Sequence, residues 1–245
     1  MKPRRNQLWS MIKRPFVLVS LPVVVYCGFA YGYTVVWATL LIGTSSIILS
    51  SPPYNFKASI VGIFSLASLL GTAVGYIESG WVGEWLIIKL ARRNNGIVEA
   101  ETRLWLYLFP VIGMPAALIM WGVGAAFSIH WLGLAFATFL LSASLSTTII
   151  LCVNYTVDTY RDLAGEAMIT VIVIRNTMAF NVSYGITPWI VDLGYQNTYV
   201  SAAFIAMACS LVFLVMVKWG KGFRENSRVR YWRYVAEGRA LSLAH

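Results

Sequence analysis

The chain has 245 residues, of which 58% are hydrophobic and only 12% are charged, and its mean hydropathy is +0.69. A soluble domain of this length could not bury so much apolar surface, so the composition predicts a membrane protein. A formal charge of +9 would suggest a nucleic-acid partner for a soluble chain. In a membrane protein, basic residues instead collect in cytoplasmic loops, and we expect no nucleic-acid partner.

Stretches without charged residues locate the membrane helices, because an ionised side chain inside the bilayer is costly. A hydrocarbon core of about 30 Å needs roughly 20 apolar residues per span. The charge-free stretches predict six spans, approximately residues 19–47, 57–79, 104–127, 132–155, 166–190 and 197–218. We divide the chain into a basic N-terminus (1–15), a six-helix bundle (16–218) and a basic C-terminal tail (219–245).

The distribution of basic residues supports this count. With six spans, 17 of the 19 Lys and Arg residues fall on the face that carries both termini, Lys57 lies on the other face and Arg175 lies within the membrane. Five or seven spans would scatter the same residues over both faces. Because basic loops stay on the cytoplasmic side, we expect both termini in the cytoplasm. We also expect the protein in the plasma membrane.

Two features of the first helix have more than one interpretation. Tyr26, Tyr33 and Trp37 share a face at helical spacing, either as part of a cavity that holds an organic solute or as ordinary packing between helices. The glycine pair Gly28 and Gly32, like the pair Gly71 and Gly75 on the second helix, is typical of closely packed membrane helices.

The fifth predicted helix is the most polar. Thr177, Asn181 and Tyr184 follow helical spacing along one side, which predicts either a seam between helices or the wall of a cavity. Arg175 and Asn176 lie within the same helix, and Arg175 points away from that side. An ionisable residue within the membrane is a functional candidate, although the long Arg175 side chain could also reach toward the cytoplasm.

Charges of both signs cluster at the predicted cytoplasmic ends of the helices. Such charges can pair when the helix ends converge and separate when they open, or they can simply be solvated. We expect Asp158, Asp162 or Glu166 to pair with Arg92, Arg93 or Arg161 when the cytoplasmic side is closed. The candidate gate residues are Glu84, Arg92, Arg93, Asp158, Arg161, Asp162 and Glu166.

The sequence offers little for catalysis or metal binding. Its histidines are His130 and His245, so neither a zinc motif with two histidines on one helix nor a serine–histidine pair within the membrane can be built. The three cysteines lie inside apolar segments, which argues against a disulfide framework. We therefore expect a protein that is not an enzyme and that holds no metal or cofactor.

Two long motifs stand out in the sequence. The first covers residues 80–85, 91–97 and 99–106, and the second covers residues 158–168, 174–178 and 184–189. Both resemble the fungal branch of the major facilitator superfamily (MFS), in particular its drug and polyamine:proton antiporters, and the first resembles the inner loop that joins helices eight and nine of that family. The chain departs from the family pattern at Glu84, where relatives often carry aspartate, but the charge is kept.

The resemblance covers nearly the whole chain but matches only the C-terminal six helices of a twelve-helix transporter. It implies an all-α membrane protein of two inverted three-helix repeats that forms one half of an MFS fold. It further implies alternating-access transport of a small organic solute or cation, coupled to protons, with a second six-helix bundle as partner. The alternative is a truncated multi-pass protein that transports nothing.

Overall fold

A computed structural model of the chain describes residues 17–93, 96 and 100–243, and every regular element it describes is helical. The predicted basic N-terminus, residues 1–15, lies outside the described residues, as do the last two residues of the C-terminal tail. The α-helices are α1 (Pro22–Ser50), α2 (Ala58–Ile77), α3 (Gly83–Arg93), α4 (Leu108–Ala126), α5 (Trp131–Thr159), α6 (Ala164–Leu211) and α7 (Phe213–Leu243).

Shorter helical pieces connect these elements on one side of the bundle. A π-helical segment, Glu78–Val82, continues α2 into α3. A 3₁₀ helix, Ala100–Tyr107, leads into α4, and a second one, Arg161–Leu163, leads into α6. A short turn joins the next two helices, since α4 ends at Ala126 and α5 begins at Trp131.

Among the described residues, five helical stretches are long and apolar enough to cross a membrane. The prediction of an all-α, multi-pass membrane protein is therefore confirmed. The fifth stretch, Arg161–Ala236, has 76 residues and contains both the fifth and the sixth predicted spans. At a rise of about 1.5 Å per residue it would be far longer than a bilayer is thick if it were straight.

The chain reverses direction inside α6. Gly194 has φ 73° and ψ 165°, a conformation that is not helical, and it divides α6 into a first arm (164–193) and a second arm (195–211). The second arm runs antiparallel to α1: the Tyr199 hydroxyl bonds to Thr44, near the end of α1, whereas Ser210 bonds to Tyr33, nearer its start.

The first arm of α6 runs parallel to α1 and packs closely on it. A Cβ atom at Gly28 would lie 2.8 Å from Ile174, and one at Gly32 would lie 2.6 Å from the sulfur of Met178. These contacts confirm the prediction that the glycine pair allows close helix packing.

The second glycine pair has the same role between α2 and α5. A Cβ at Gly71 would lie 2.1 Å from the carbonyl oxygen of Phe139, and one at Gly75 would lie 2.5 Å from that of Ala143. The backbones of α2 and α5 are therefore in direct contact at both glycines. Such contact places the polar residues of α2 and α5 beside one another.

The two ends of the bundle differ in charge. One end carries the described charges of α3, the 3₁₀ segments, the start of α6 and α7. The other end carries Lys57 and Asp192, and it is aromatic: the Tyr54 hydroxyl donates to the carbonyl of Ile129 at 2.6 Å, and Trp131 packs against Phe64. Tyrosine and tryptophan are enriched where a membrane meets water.

Candidate functional site

One face of α1 carries polar contacts at membrane depth. Tyr31, Ala38, Ile42 and Ser45 follow a spacing of seven, four and three residues, so they lie along a single stripe of the helix. The stripe meets Arg175 of α6 at its Tyr31 end and a groove toward its Ser45 end. These two features form the candidate site.

Arg175 is held by two neighbours. Its Nη1 donates to the Tyr31 hydroxyl at 2.9 Å, and its guanidinium carbon lies 4.8 Å from the centre of the Tyr31 ring. Its Nε and Nη2 both donate to Oδ1 of Asn176, at 3.1 and 2.8 Å. A guanidinium that is stacked and hydrogen-bonded in this way has a defined orientation. These contacts are compatible with both predicted interpretations of Arg175, a functional role and a side chain that reaches toward the cytoplasm.

The groove has a volume of about 560 Å³ and lies between α1, α2 and α5. We call it the hydroxyl groove, because serine and threonine side chains from these helices line it. Ser68 of α2 and Ser142 of α5 bond to each other across it, with 2.7 Å between their hydroxyl oxygens. Its hydroxyl-bearing residues are Ser45, Ser46, Ser65, Ser68, Thr72, Thr138 and Ser142.

The predicted stripe Thr177, Asn181 and Tyr184 is exposed on the surface of the bundle, and Tyr184 is 71% accessible. At about 100° per residue, these positions lie between roughly 120° and 180° around the helix from Arg175. The two groups therefore face different sides of α6, as predicted. We call Thr177, Asn181 and Tyr184 the α6 polar stripe.

Tyr26, Tyr33 and Trp37, predicted either to line a cavity or to pack between helices, are buried in the bundle. Tyr33 bonds to the hydroxyl of Tyr107 at 3.1 Å and to that of Ser210 at 3.0 Å. Their surroundings are those of the packing interpretation. The three side chains do not lie on the stripe of α1 that carries the candidate site.

Ion pairs between described residues, which the sequence did not indicate, join helical segments at the charged end. Asp158 lies 3.4 Å from Arg103, and Glu101, which is almost fully buried, lies 3.5 Å from Arg224. Arg103 is not among the arginines that we expected as the partner of Asp158, and the expected pairing of Asp162 or Glu166 with Arg92, Arg93 or Arg161 stays a prediction.

The other candidate gate residues are spread around this end. Asp162 accepts a hydrogen bond of 2.9 Å from the Tyr231 hydroxyl of α7. Among the other candidates, Glu84, Arg92 and Arg161 are exposed, Glu166 is partly buried, and the side chain of Arg93 is outside the described part of the chain. The structure thus joins the part of α7 that was predicted as a tail to the start of α6.

Sequence reasoning also missed a carboxylate contact between α2 and α5. Oε2 of the half-buried Glu78 accepts a hydrogen bond of 2.6 Å from Thr147. Glu78 begins the π-helical segment, one turn beyond the close contact at Gly75. The glycine spacing could have indicated this contact, since it predicts which faces of the two helices meet.

The described residues give no geometry for a metal site. Within the described ranges, no three His, Cys, Asp or Glu side chains lie close enough together to hold a metal ion. The polar groups of the candidate site are instead a guanidinium, a phenol, an amide and hydroxyls, which bind organic solutes by hydrogen bonds, stacking and charge.

Comparison with known proteins identifies the class of protein to which this chain is related. It is 31% identical to an MFS-type transporter of Schizosaccharomyces pombe over 87% of this chain and 37% of the relative. It is 29% identical to Protein HOL1 of Saccharomyces cerevisiae, over 93% of this chain and 38% of that protein. Quinidine resistance protein 3 of the same yeast is 27% identical over 72% of this chain and 26% of its own length.

The chain is therefore a relative of fungal MFS-type transporters, and the resemblance of its two motifs to that group is confirmed. It spans about two fifths of the length of the S. pombe relative and of Protein HOL1, and about a quarter of the length of quinidine resistance protein 3. No protein-family model matches the chain. No solved structure matches it either.

Proposed function

We propose that the chain is one six-helix half of an MFS-type transporter that moves a small organic solute by alternating access. The relationship to transporters over about nine-tenths of the chain carries this proposal. The matched length of about two fifths of the S. pombe relative and of Protein HOL1 fits one half of a two-bundle transporter.

The six crossings are the four apolar stretches before α6, the first arm of α6, and the second arm with the start of α7. Two observations support this count: Gly194 interrupts α6, and the two arms run in opposite directions along α1. With six crossings, the charged end lies in the cytoplasm together with both termini, as expected for an end whose charged residues are mostly basic.

The hydroxyl groove and the Arg175–Tyr31 contact form one wall of the solute cavity in this proposal. Both lie on a single stripe of α1, where the solute would meet hydrogen-bonding groups at membrane depth. The α6 polar stripe, on another side of α6, is the seam to the second six-helix bundle, because polar side chains within the membrane are stabilised by protein partners.

The ion pairs at the charged end hold the cytoplasmic side closed. Arg103–Asp158 connects the 3₁₀ segment before α4 to the end of α5, and Glu101–Arg224 connects that segment to α7. Opening toward the cytoplasm would separate these elements. Proton coupling, which the family resemblance implies, would use carboxylates of this end or of the second bundle.

A chimera tests the proposed function. In it, this chain replaces the matching segment of the S. pombe relative, and the purified chimera is reconstituted in liposomes. Uptake is measured with and without a proton gradient for a panel of polyamines, cationic drugs and organic carboxylates that includes every solute the intact relative transports. We expect saturable, gradient-dependent uptake by the chimera and none by the chain alone.

Single cysteines give the topology in parallel. Cysteines at Tyr54 and Gln196 should react with an impermeant reagent from the side opposite to Lys89. A correctly inserted chimera that takes up nothing would contradict the proposed function. Saturable uptake by the chain alone would contradict the need for a second bundle.

A further inference from the structure

Arg175 is a charged side chain at membrane depth that has no carboxylate partner within the described part of the chain. It lies 11 residues after the start of α6, which is about 16 Å along the helix. The acidic residues nearest to it along α6 are Glu166 and Asp192, roughly 13 and 25 Å away along the axis. A cation held at this depth needs a compensating anion.

The donor groups of Arg175 are only partly used. A guanidinium has five N–H groups, and the contacts to Tyr31 and Asn176 use three of them. The remaining donors belong to Nη1 and Nη2, the geometry that binds planar carboxylates well. The Arg175 side chain is only partly buried, so the helices around it do not enclose it.

The neighbours of Arg175 hold it in place without neutralising it. Tyr31 supplies a ring face and a hydroxyl, and Asn176 supplies a carbonyl oxygen, and all of these groups are uncharged. A preorganised cation of this kind loses little conformational freedom when an anion binds.

We propose that Arg175, oriented by Tyr31 and Asn176, is the binding subsite for a carboxylate group of the transported solute. This inference rests on the proposed function and names its substrate class as an organic carboxylate. From Tyr31 the α1 stripe continues to Ala38 at the edge of the hydroxyl groove, about 10 Å away along the axis. The uncharged part of the solute would lie along this stripe toward the groove.

Arginine labelling tests the subsite without any need for transport. The full chain, reconstituted in lipid nanodiscs, is treated with phenylglyoxal, and modification of each arginine is followed by mass spectrometry. Benzoate is the carboxylate probe, benzylamine is a cation of the same size, and inorganic phosphate is a second anion. Arg228, which is exposed on α7, is the internal control.

We expect benzoate to slow the modification of Arg175 but not that of Arg228, and benzylamine to leave both unchanged. Stronger protection by phosphate than by benzoate would overturn the carboxylate class. Equal protection by benzoate and benzylamine would show that the ring of Tyr31, not the charge, binds the probe, and would also overturn the proposal. The absence of any protection by benzoate would also overturn the proposal, and it would leave a carboxylate of the second bundle as the counter-ion of Arg175.

Binding of 4-fluorobenzoate, followed by ¹⁹F NMR, provides a second measurement. Arg175→Gln should weaken binding roughly tenfold or more, because it removes the charge-assisted hydrogen bonds, whereas Arg175→Lys should keep part of the affinity. Equal affinities for the wild type and Arg175→Gln would refute the subsite. If the chimera transports a solute but benzoate does not protect Arg175, the proposed function stands and the carboxylate subsite is wrong.

Discussion

Two tyrosines on α1, seven residues apart, have similar burial but different hydrogen bonding. The Tyr33 hydroxyl is bonded to Tyr107 and Ser210, whereas the Tyr26 hydroxyl has no hydrogen-bond partner within the described part of the chain. Both rings pack in the core of the bundle, and Tyr26 makes an edge contact with Tyr155. Their hydroxyl groups therefore differ in what they contribute to stability.

Tyr33→Phe should lower the free energy of unfolding by about 1–2 kcal/mol, because it leaves buried hydroxyls of its neighbours with fewer partners. Tyr26→Phe, the matched control, should leave the free energy of unfolding unchanged or raise it, because the hydroxyl that it removes is buried and makes no hydrogen bond among the described residues. Unfolding in mixed detergent micelles, followed by tryptophan fluorescence, measures both. Equal losses in the two variants would contradict the contacts described for Tyr33.

The glycines of α2 differ just as sharply. A Cβ at Gly71 would meet the backbone of Phe139, which cannot move without shifting α5, whereas a Cβ at Gly62 would meet nothing within 4 Å. Gly71→Ala should destabilise the bundle by about 1–3 kcal/mol through forced separation of α2 and α5. Gly62→Ala should be neutral or slightly stabilising, because alanine favours the helix. Thermal unfolding in the same micelles compares the two, and an equally stable Gly71→Ala variant would refute the close contact.

At the scale of whole elements, Gly194 determines where α6 reverses direction. Its φ of 73° with ψ of 165° belongs to a region that other residues enter only with strain. The break turns one long apolar stretch into two arms that both pack on α1. Without it, the second arm could not bring Tyr199 and Ser210 back to α1.

Gly194→Ala should therefore cost about 1–3 kcal/mol, the usual strain of a side chain in this conformation. Gly185→Ala on the first arm is the control, because Gly185 is helical and a Cβ there meets nothing within 4 Å. Proteolysis at the reversal, in liposomes, should be faster in Gly194→Ala and unchanged in Gly185→Ala. Equal cleavage rates would show that the reversal does not depend on the glycine.

At the scale of the whole molecule, the bundle leaves the α6 polar stripe uncovered. Polar groups that face lipid are stabilised when they find a partner, and between membrane helices such contacts contribute roughly 0.6–2 kcal/mol each. A single bundle in a bilayer should therefore associate with another bundle through this stripe.

Asn181→Leu should weaken self-association of the chain, measured by energy transfer between labelled copies in liposomes, by roughly three- to tenfold. Gln196→Leu is the control, because Gln196 is exposed near the reversal, at the end of the bundle where water can satisfy its amide. Unchanged association in Asn181→Leu would exclude the α6 polar stripe as a contact surface.

The positions of the helices were largely determined by the sequence. Whether a segment can cross the membrane depends on its own apolar length and on where its charges lie, and both can be read directly from the sequence. Accordingly, α1, α4 and α5 begin and end within a few residues of the predicted spans. The glycine spacing likewise predicted close packing, because the absence of a side chain is a local property.

The contacts between helices were decided only by the tertiary structure. The sequence placed Tyr26, Tyr33 and Trp37 on one face of a helix but could not say whether that face was a cavity wall or the core. It likewise did not connect Arg175 to Tyr31, 144 residues away. Such contacts depend on how the helices cross and on the rotation of each helix about its axis. Both are set by the packing of all the helices together, and no single segment of the chain contains that information.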